Sequence, residues 1–373
     1  MDARSFPSPV DVRFGRGSSV GLLDDLPRPV VLATGGSTLE RAGLDGLEDP
    51  GGGVHVHAGV LPLARGADVD ALAEALLSLG ARSLVAVGGG SVIDTAKTAA
   101  VVAAGEGDLA SQVEALAQGG EVARFVRLVA VPTTAGTGSE VTRWASLWTD
   151  AGAKWSFDHE AALPDRAVVD PALTDSMDAR LTAATGLDAV AHAMESLWCE
   201  RTEAVSAREA QEALRLLAGH LPRAVRAGAA GERDDEARDA VALGALRAGL
   251  ALSHTASGAA HALSYALTGR FGLEHGLAVG LLSRALLPRC ALVVPQRVER
   301  VLAGLDVDSV GAAQAFVDEV LSAAGLSPSL EQFGVGADAF EEVVAAALAS
   351  PRLDNHPGPP GRDELRAALE SIA

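Results

Sequence analysis

The stretch Ser83-Leu84-Val85-Ala86-Val87-Gly88-Gly89-Gly90-Ser91-Val92-Ile93-Asp94-Thr95-Ala96-Lys97 decides the fold. Strand-forming residues 83–87 run into three glycines, and residues 91–104 then carry helical periodicity. Such a turn aims bare backbone N–H groups and a helix dipole at one point, which suits a pyrophosphate. It is not a Walker A loop, because no Gly-Lys-Ser/Thr follows at the required spacing, and it lacks the G-x-G-x-x-G fingerprint. The alternative is a tight strand-to-helix turn in which Ser91 caps the helix and Asp94 closes a capping box.

Working outward, residues 10–14, 29–33, 54–60 and 125–131 also read as strands, and 68–79 reads as a helix. The alternation predicts a mostly parallel sheet covered by helices. A second loop, Pro132-Thr133-Thr134-Ala135-Gly136-Thr137-Gly138-Ser139-Glu140, follows the strand at 125–131. Loops leaving the carboxyl ends of parallel strands line the ligand crevice, so Gly88, Gly89, Gly90, Ser91, Asp94, Thr133, Thr134 and Thr137 are cofactor candidates. The bland reading of this second loop is a polar connection with no ligand.

Beyond about Thr182 the strand signals fade, and Ala/Leu/Glu/Arg-rich stretches such as 207–218 and 235–252 predict helices. The expected division is therefore an α/β domain over 1–180 and an all-helical domain over 181–373. Residues 228–234 and 357–361 read as surface turns. Trp144, Trp148 and Trp155 cluster locally in a chain with only 3% aromatic residues.

With 30 Lys+Arg against 49 Asp+Glu, the formal net charge of −19 speaks against a nucleic-acid partner. Cys199 and Cys290 are the only cysteines. They allow neither a disulfide framework nor a four-cysteine zinc site, so the cytoplasm is the expected compartment. No uninterrupted apolar run reaches the roughly 20 residues of a membrane helix, and Met1-Asp2-Ala3-Arg4 does not open a signal peptide. No membrane association is expected.

In the helical half, Asp188 and His192 stand at i and i+4 and project from one helix face. His261 and His275 follow downstream. Three imidazoles and a carboxylate can hold Fe(II) or Zn(II). Taken alone, however, the Asp188/His192 pair also reads as an ordinary core or surface hydrogen bond.

Taken together, these residues resemble the iron-containing, group III metal-dependent alcohol dehydrogenases. The likeness runs from Phe14-Gly15-Arg16-Gly17 through the glycine turn, the 132–140 loop, the Asp188/His192 helix, His261 and His275 to Arg352-Leu353-Asp354-Asn355-His356-Pro357. It implies an N-terminal dinucleotide-binding α/β domain and a C-terminal all-α metal-binding domain, the architecture shared with dehydroquinate synthase. It further implies NADPH or NADH, Fe2+ or Zn2+ on Asp188, His192, His261 and His275, and a homodimer. The activity implied is interconversion of a small aldehyde and its alcohol, with Asp94, Lys154 and Tyr265 as candidates for acting at the reaction.

Two departures from the family pattern stand out. Tyr265 occupies the position where many members carry a second histidine. After the second strand, Leu32-Ala33-Thr34-Gly35-Gly36-Ser37-Thr38 lacks the aspartate that grips an adenosine ribose, so Gly35, Gly36 and Ser37 leave room for a 2′-phosphate. The segments Trp155-Ser156-Phe157, Met194-Glu195-Ser196-Leu197-Trp198 and His261 to Thr268 resemble the phosphonoacetaldehyde reductase branch. A phosphonate needs local cations, for which Arg143, Lys154, Arg270 and His159 are the candidates. A general short-chain alcohol dehydrogenase, a cyclase of the dehydroquinate synthase type and a non-catalytic nucleotide-binding protein are the competing readings. Net turnover of nicotinamide with an aldehyde separates the last two from the rest.

Overall fold

The computed structural model describes residues 6–44, 46–49, 51–105, 107–120, 122, 124–149 and 154–373. The Met1–Arg4 stretch read above lies outside them. The chain forms two compact units, one holding residues up to Thr134 and Ser139–Ser176, the other holding Ala135–Gly138 and Met177–Ala373.

In the first unit the strands are β1 (Asp11–Phe14), β2 (Val30–Thr34), β3 (Val54–Ala58), β4 (Ser83–Gly88), β5 (Arg127–Pro132), β6 (Trp144–Trp148), β7 (Lys154–Asp158) and β8 (Arg166–Val169). Its helices are α1 (Thr38–Arg41), α2 (Gly66–Ser78), α3 (Gly90–Val102) and α4 (Leu109–Ala117). Six strands make one parallel sheet in the order β1-β8-β5-β4-β2-β3.

Side chains alternate between two cores, as period 2 requires. Val31, Ala33, Leu84, Ala86, Leu128 and Ala130 face the core that also takes Leu72 and Leu76 of α2 and Ile93 and Ala96 of α3. Val30, Leu32, Val85, Val87, Val129 and Val131 face the other, with Leu22, Leu23 and Leu26. Covered on both sides, β2, β4 and β5 are near-continuous apolar runs, which is why they are legible in the sequence.

Three strands were not expected. β8 is four residues, opens with the buried Arg166 and ends at Asp170-Pro171, so it carries too little apolar signal to read as a strand. Arg166 is held by Asp11 and Asp25, each at 2.8 Å. The tryptophan cluster belongs to an antiparallel hairpin of β6 and β7, in which Leu147 faces Trp155 and Trp148 faces Lys154.

Two local expectations are corrected. The cap of α3 is Gly89, with no side-chain bond. Ser91 Oγ instead accepts from the Leu63 N–H at 3.0 Å, and Asp94 accepts from Ser139 Oγ and from the Ser146 N–H. In the second unit a helix runs through Ala230, so the expected turn begins only at Gly231, whose φ of 67° ends that helix in the left-handed region.

The second unit contains α5 (Ala179–Trp198), α6 (Ala204–Ala230), α7 (Asp235–Thr255), α8 (Ala259–Phe271), α9 (His275–Val293), α10 (Pro295–Leu305), α11 (Val310–Ala323), α12 (Phe340–Leu348) and α13 (Arg362–Glu370). From Gly186 to Trp198, α5 is buried on every side, the mark of a core helix. Among the described residues α9 alone is long and apolar enough to cross a membrane, and most of it is buried within this unit. Cys199 and Cys290 are both free and buried.

Helix α9 meets α5 at glycines. A Cβ on Gly276 would lie 1.9 Å from the Ala184 carbonyl oxygen and 3.1 Å from Asp188 Cβ, and one on Gly280 would lie 2.9 Å from Leu187 Cβ. This approach sets His275, the residue before Gly276, beside Asp188. Gly276→Ala is expected to force the helices apart and lower unfolding free energy by about 1–3 kcal/mol. Urea denaturation checks it, and a change under about 0.5 kcal/mol would contradict the packing argument.

Candidate active site

Helix α5 presents Asp188, His192 and Glu195 at i, i+4 and i+7, one stripe of a single face. All three are buried. Asp188 Oδ1 is the focus of the cluster: His192 Nε2 lies 3.5 Å from it, His261 Nε2 3.8 Å and His275 Nε2 3.9 Å. One ligand atom each from Asp188, His261 and His275 fall within 4.8 Å of one another. Three of the four expected metal ligands, Asp188, His261 and His275, are grouped in this way from α5, α8 and the first residue of α9, and His192 adjoins them through Asp188 Oδ1.

These separations are longer than hydrogen bonds. They are close to the spacing between ligands on a common cation, since tetrahedral bonds of about 2.0–2.2 Å put ligand atoms about 3.3–3.6 Å apart. Asp188 Oδ1 and His261 Nε2 are buried and have no hydrogen-bond partner among the described residues, an arrangement costly unless something polar completes it. Burial opposes the charge on Asp188, but the imidazoles of His192, His275 and His261 outweigh it and hold the carboxyl well below its usual range. Burial pushes His192 down to about 4, which keeps its ring neutral and its lone pair available.

Burial also opposes the imidazolium of His261, yet Glu195 and Asp188 hold it up to about 10. Two buried carboxylates thus draw positive charge to this point. A divalent cation meets that demand in place of the proton on Nε2, so the residues present fit the metal.

One side of the cluster is open. The side chains of Asp188, His192 and His261 are 4%, 7% and 4% exposed, against 29% for His275. Tyr265, one turn beyond His261 on α8, stacks with the His275 ring at a centroid distance of 6.1 Å.

In the first unit, successive connections leave β2 and β4 toward opposite edges of the sheet, which makes that point the switch where crevice ligands bind. Gly35, Gly36 and Ser37 follow β2, and Gly88 ends β4. A Cβ on Gly88 would come within 2.5 Å of Val92 Cγ2, and one on Gly89 within 3.3 Å of Thr134 Oγ1. The Thr133 N–H donates to the Gly88 carbonyl at 3.0 Å. These residues and the uncapped first turn of α3, with Gly90 and Ser91, could hold a pyrophosphate. Thr137 belongs to the other unit.

Asp94 is committed to structure. Besides Ser139 and Ser146 it stands 4.0 Å from the Nζ of Lys97, itself fully buried and donating to Ser139 Oγ at 2.9 Å and the Trp144 carbonyl at 2.8 Å. Lys154 opens β7 and its charge reaches Asp94.

The other three candidate phosphonate cations also have partners in the structure. Arg143 pairs with Asp158 at 2.5 Å. His159 uses one ring nitrogen on the Gly120 carbonyl and the other on the Ala161 N–H. Arg270 pairs with Glu342, and nine residues at 100° put it on the opposite side of α8 from His261.

One residue escaped the sequence reading of the site. Glu195 Oε2 accepts from His261 Nδ1 at 2.6 Å, with both side chains buried. The α5 stripe at 188, 192 and 195 is the signal that marks it.

Two family models cover this chain: the iron-containing alcohol dehydrogenase model matches residues 9–171, and the Fe-containing alcohol dehydrogenase C-terminal model matches 182–373. A 4-hydroxybutyrate dehydrogenase of Cupriavidus necator is 36% identical over 78% of this chain and 78% of its own length. A phosphonoacetaldehyde reductase of Streptomyces viridochromogenes is 34% identical over 81% of this chain and 78% of its own. Among solved structures, a sulfoacetaldehyde reductase from Bifidobacterium kashiwanohense in complex with NAD+ superimposes with a TM-score of 0.85 at 26% identity, covering 99% of this chain and 98% of that one. The chain belongs to the iron-containing alcohol dehydrogenase family and is an NAD(P)-dependent oxidoreductase of aldehyde/alcohol pairs.

Proposed function

We propose that this protein reduces a short aldehyde bearing a phosphonate group, phosphonoacetaldehyde, to 2-hydroxyethylphosphonate, with NADPH serving as hydride donor at least as well as NADH and a divalent cation, iron or zinc, held by Asp188, His192, His261 and His275. The observation that carries the reading is the convergence of three imidazole Nε2 atoms on one buried carboxylate oxygen. When bound, the cation supplies Lewis acidity toward the carbonyl oxygen and the nicotinamide supplies the hydride.

The chain's own residues do the rest. Gly88–Ser91 and Thr133–Thr134 grip the pyrophosphate, and Gly35, Gly36 and Ser37 accept the 2′-phosphate. Thr137 adds a cofactor contact. Tyr265 hydrogen-bonds the substrate oxygen from the open side of the cluster. Asp94 acts through Ser139 and Ser146 as a positioning group.

Resemblance in the Trp155, Met194 and His261 segments supports the phosphonate. So do the names of two relatives, since phosphonoacetaldehyde and sulfoacetaldehyde are both two-carbon aldehydes carrying a tetrahedral anion. Of the four candidate cations we propose Lys154, adjacent to the Trp155 segment whose likeness supports the phosphonate, as the anchor, with Arg143 in support. The Arg143–Asp158 pair is half exposed, and such pairs exchange partners for about 0–1 kcal/mol. Within this reading the protein works as a cytoplasmic homodimer.

Three outcomes are expected. His192→Ala should lose stoichiometric metal, measured by elemental analysis, together with turnover; a variant that keeps both would overturn the ligand set.

Wild type should use NADPH at least as well as NADH, and Gly36→Asp should swing the ratio of kcat/KM toward NADH by charge repulsion against the 2′-phosphate. A Cβ at Gly36 meets nothing within 4 Å, so the change is electrostatic. A wild-type preference for NADH of about 100-fold, or about 3 kcal/mol, would contradict the claim.

Lys154→Ala should raise KM for phosphonoacetaldehyde and leave reduction of propanal nearly unchanged, because anchoring and hydride transfer involve different atoms. Equal wild-type efficiency on the two aldehydes would remove the phosphonate and favour a general alcohol dehydrogenase.

A further inference from the structure

Glu195 is fully buried in α5, one turn beyond His192, and touches no solvent. A carboxylate in that position is costly unless its oxygens are satisfied. They are. Oε2 accepts from His261 Nδ1 at 2.6 Å and from the Gly258 N–H at 2.8 Å, and Oε1 accepts from the Ala260 N–H at 2.9 Å. Gly258 is the cap of α8 and Ala260 its second residue, so the same carboxylate that binds the His261 ring also closes the first turn of the helix carrying it. The N–H between them, that of Ala259, points to His356 Nδ1 at 3.5 Å.

The geometry has a direct consequence for His261. With Nδ1 donating to Glu195, the ring's other nitrogen, Nε2, is the one aimed at Asp188, and it is buried without a partner. An imidazole backed by a carboxylate is fixed in one tautomer and one orientation, and is the stronger base for it. His275 has a weaker version, Ser264 Oγ at 3.4 Å from its Nδ1. The rear nitrogen of His261 thus meets a buried carboxylate.

We propose that Glu195 is the positioning residue of the metal site: it fixes His261 with Nε2 forward, raises its affinity for a divalent cation, and ties that ring to the start of α8. This rests on the metal reading of Asp188, His192, His261 and His275 and goes beyond it. Glu195 itself contacts neither cation nor substrate.

The test is Zn(II) affinity of the purified full chain, measured by competition with a chromophoric chelator, in wild type, Glu195→Gln and Glu195→Asp. Circular dichroism of the metal-free proteins runs alongside. Glu195→Gln keeps shape and one acceptor oxygen but removes the charge. It should fold and bind Zn(II) about 10- to 100-fold more weakly, with Glu195→Asp intermediate. A residue that only capped α8 would lower the melting temperature of the metal-free protein and leave Zn(II) affinity within about twofold of wild type, and that result overturns the proposal.

Should neither variant fold, the Zn(II)-loaded wild type still decides by NMR. The proposal requires a strongly downfield imidazole N–H proton from His261 Nδ1, and its absence counts against it. A wild type that binds no Zn(II) or Fe(II) at all would overturn the metal reading itself, an outcome distinct from equal binding by wild type and Glu195→Gln.

Discussion

A carboxylate sealed inside a helical unit must be answered by positive charge, and Asp188 is that carboxylate. Among the described residues its Oδ1 has no hydrogen bond, yet three imidazoles turn toward it from α5, α8 and α9. Much of the helical unit can be read as what makes this possible. Gly276 and Gly280 let α9 close on α5, Glu195 holds the start of α8, and α5 is buried on every side from Gly186 to Trp198. Removing one partner from such a cluster leaves charge buried and unpaired, which costs more than the contact alone suggests.

The sheet unit solves a different problem with backbone rather than charge. Its three central strands are covered on both faces, so polar groups can gather only at the strand ends. At the carboxyl ends of β2, β4 and β5 those groups are glycine amides and threonine hydroxyls, with no carboxylate at Gly35 or Gly36 to turn away a second phosphate. Lys97 and Asp94 sit just behind, spending their charges on Ser139, the Ser146 amide and the Trp144 carbonyl. That network braces the loop after β5 against α3.

What the sequence made legible follows from the range of the forces involved. β2, β4, β5 and the first turn of α3 are written in adjacent residues, as apolar runs stopped by glycine. The metal set was legible through one helix pair, Asp188 and His192, with His261 and His275 supplied by likeness to a family. The helical stripe at 188, 192 and 195 marks the face of Glu195 but not its role, because its partners His261, Gly258 and Ala260 are more than 60 residues away and only folding brings them in. Asp94 looked like a capping residue because local spacing favours it, but tertiary bonds to Ser139 and Ser146 win. Arg270 looked like an anion anchor by proximity in sequence, and helical phase places it away from His261.

The central requirement is a single cation held by imidazoles at Asp188. Zinc K-edge X-ray absorption on the Zn(II)-loaded chain measures this directly. The account predicts nitrogen and oxygen neighbours at about 2.0–2.2 Å with the outer-shell scattering of three histidine rings. A spectrum of water and carboxylate oxygens with no imidazole scattering would contradict it.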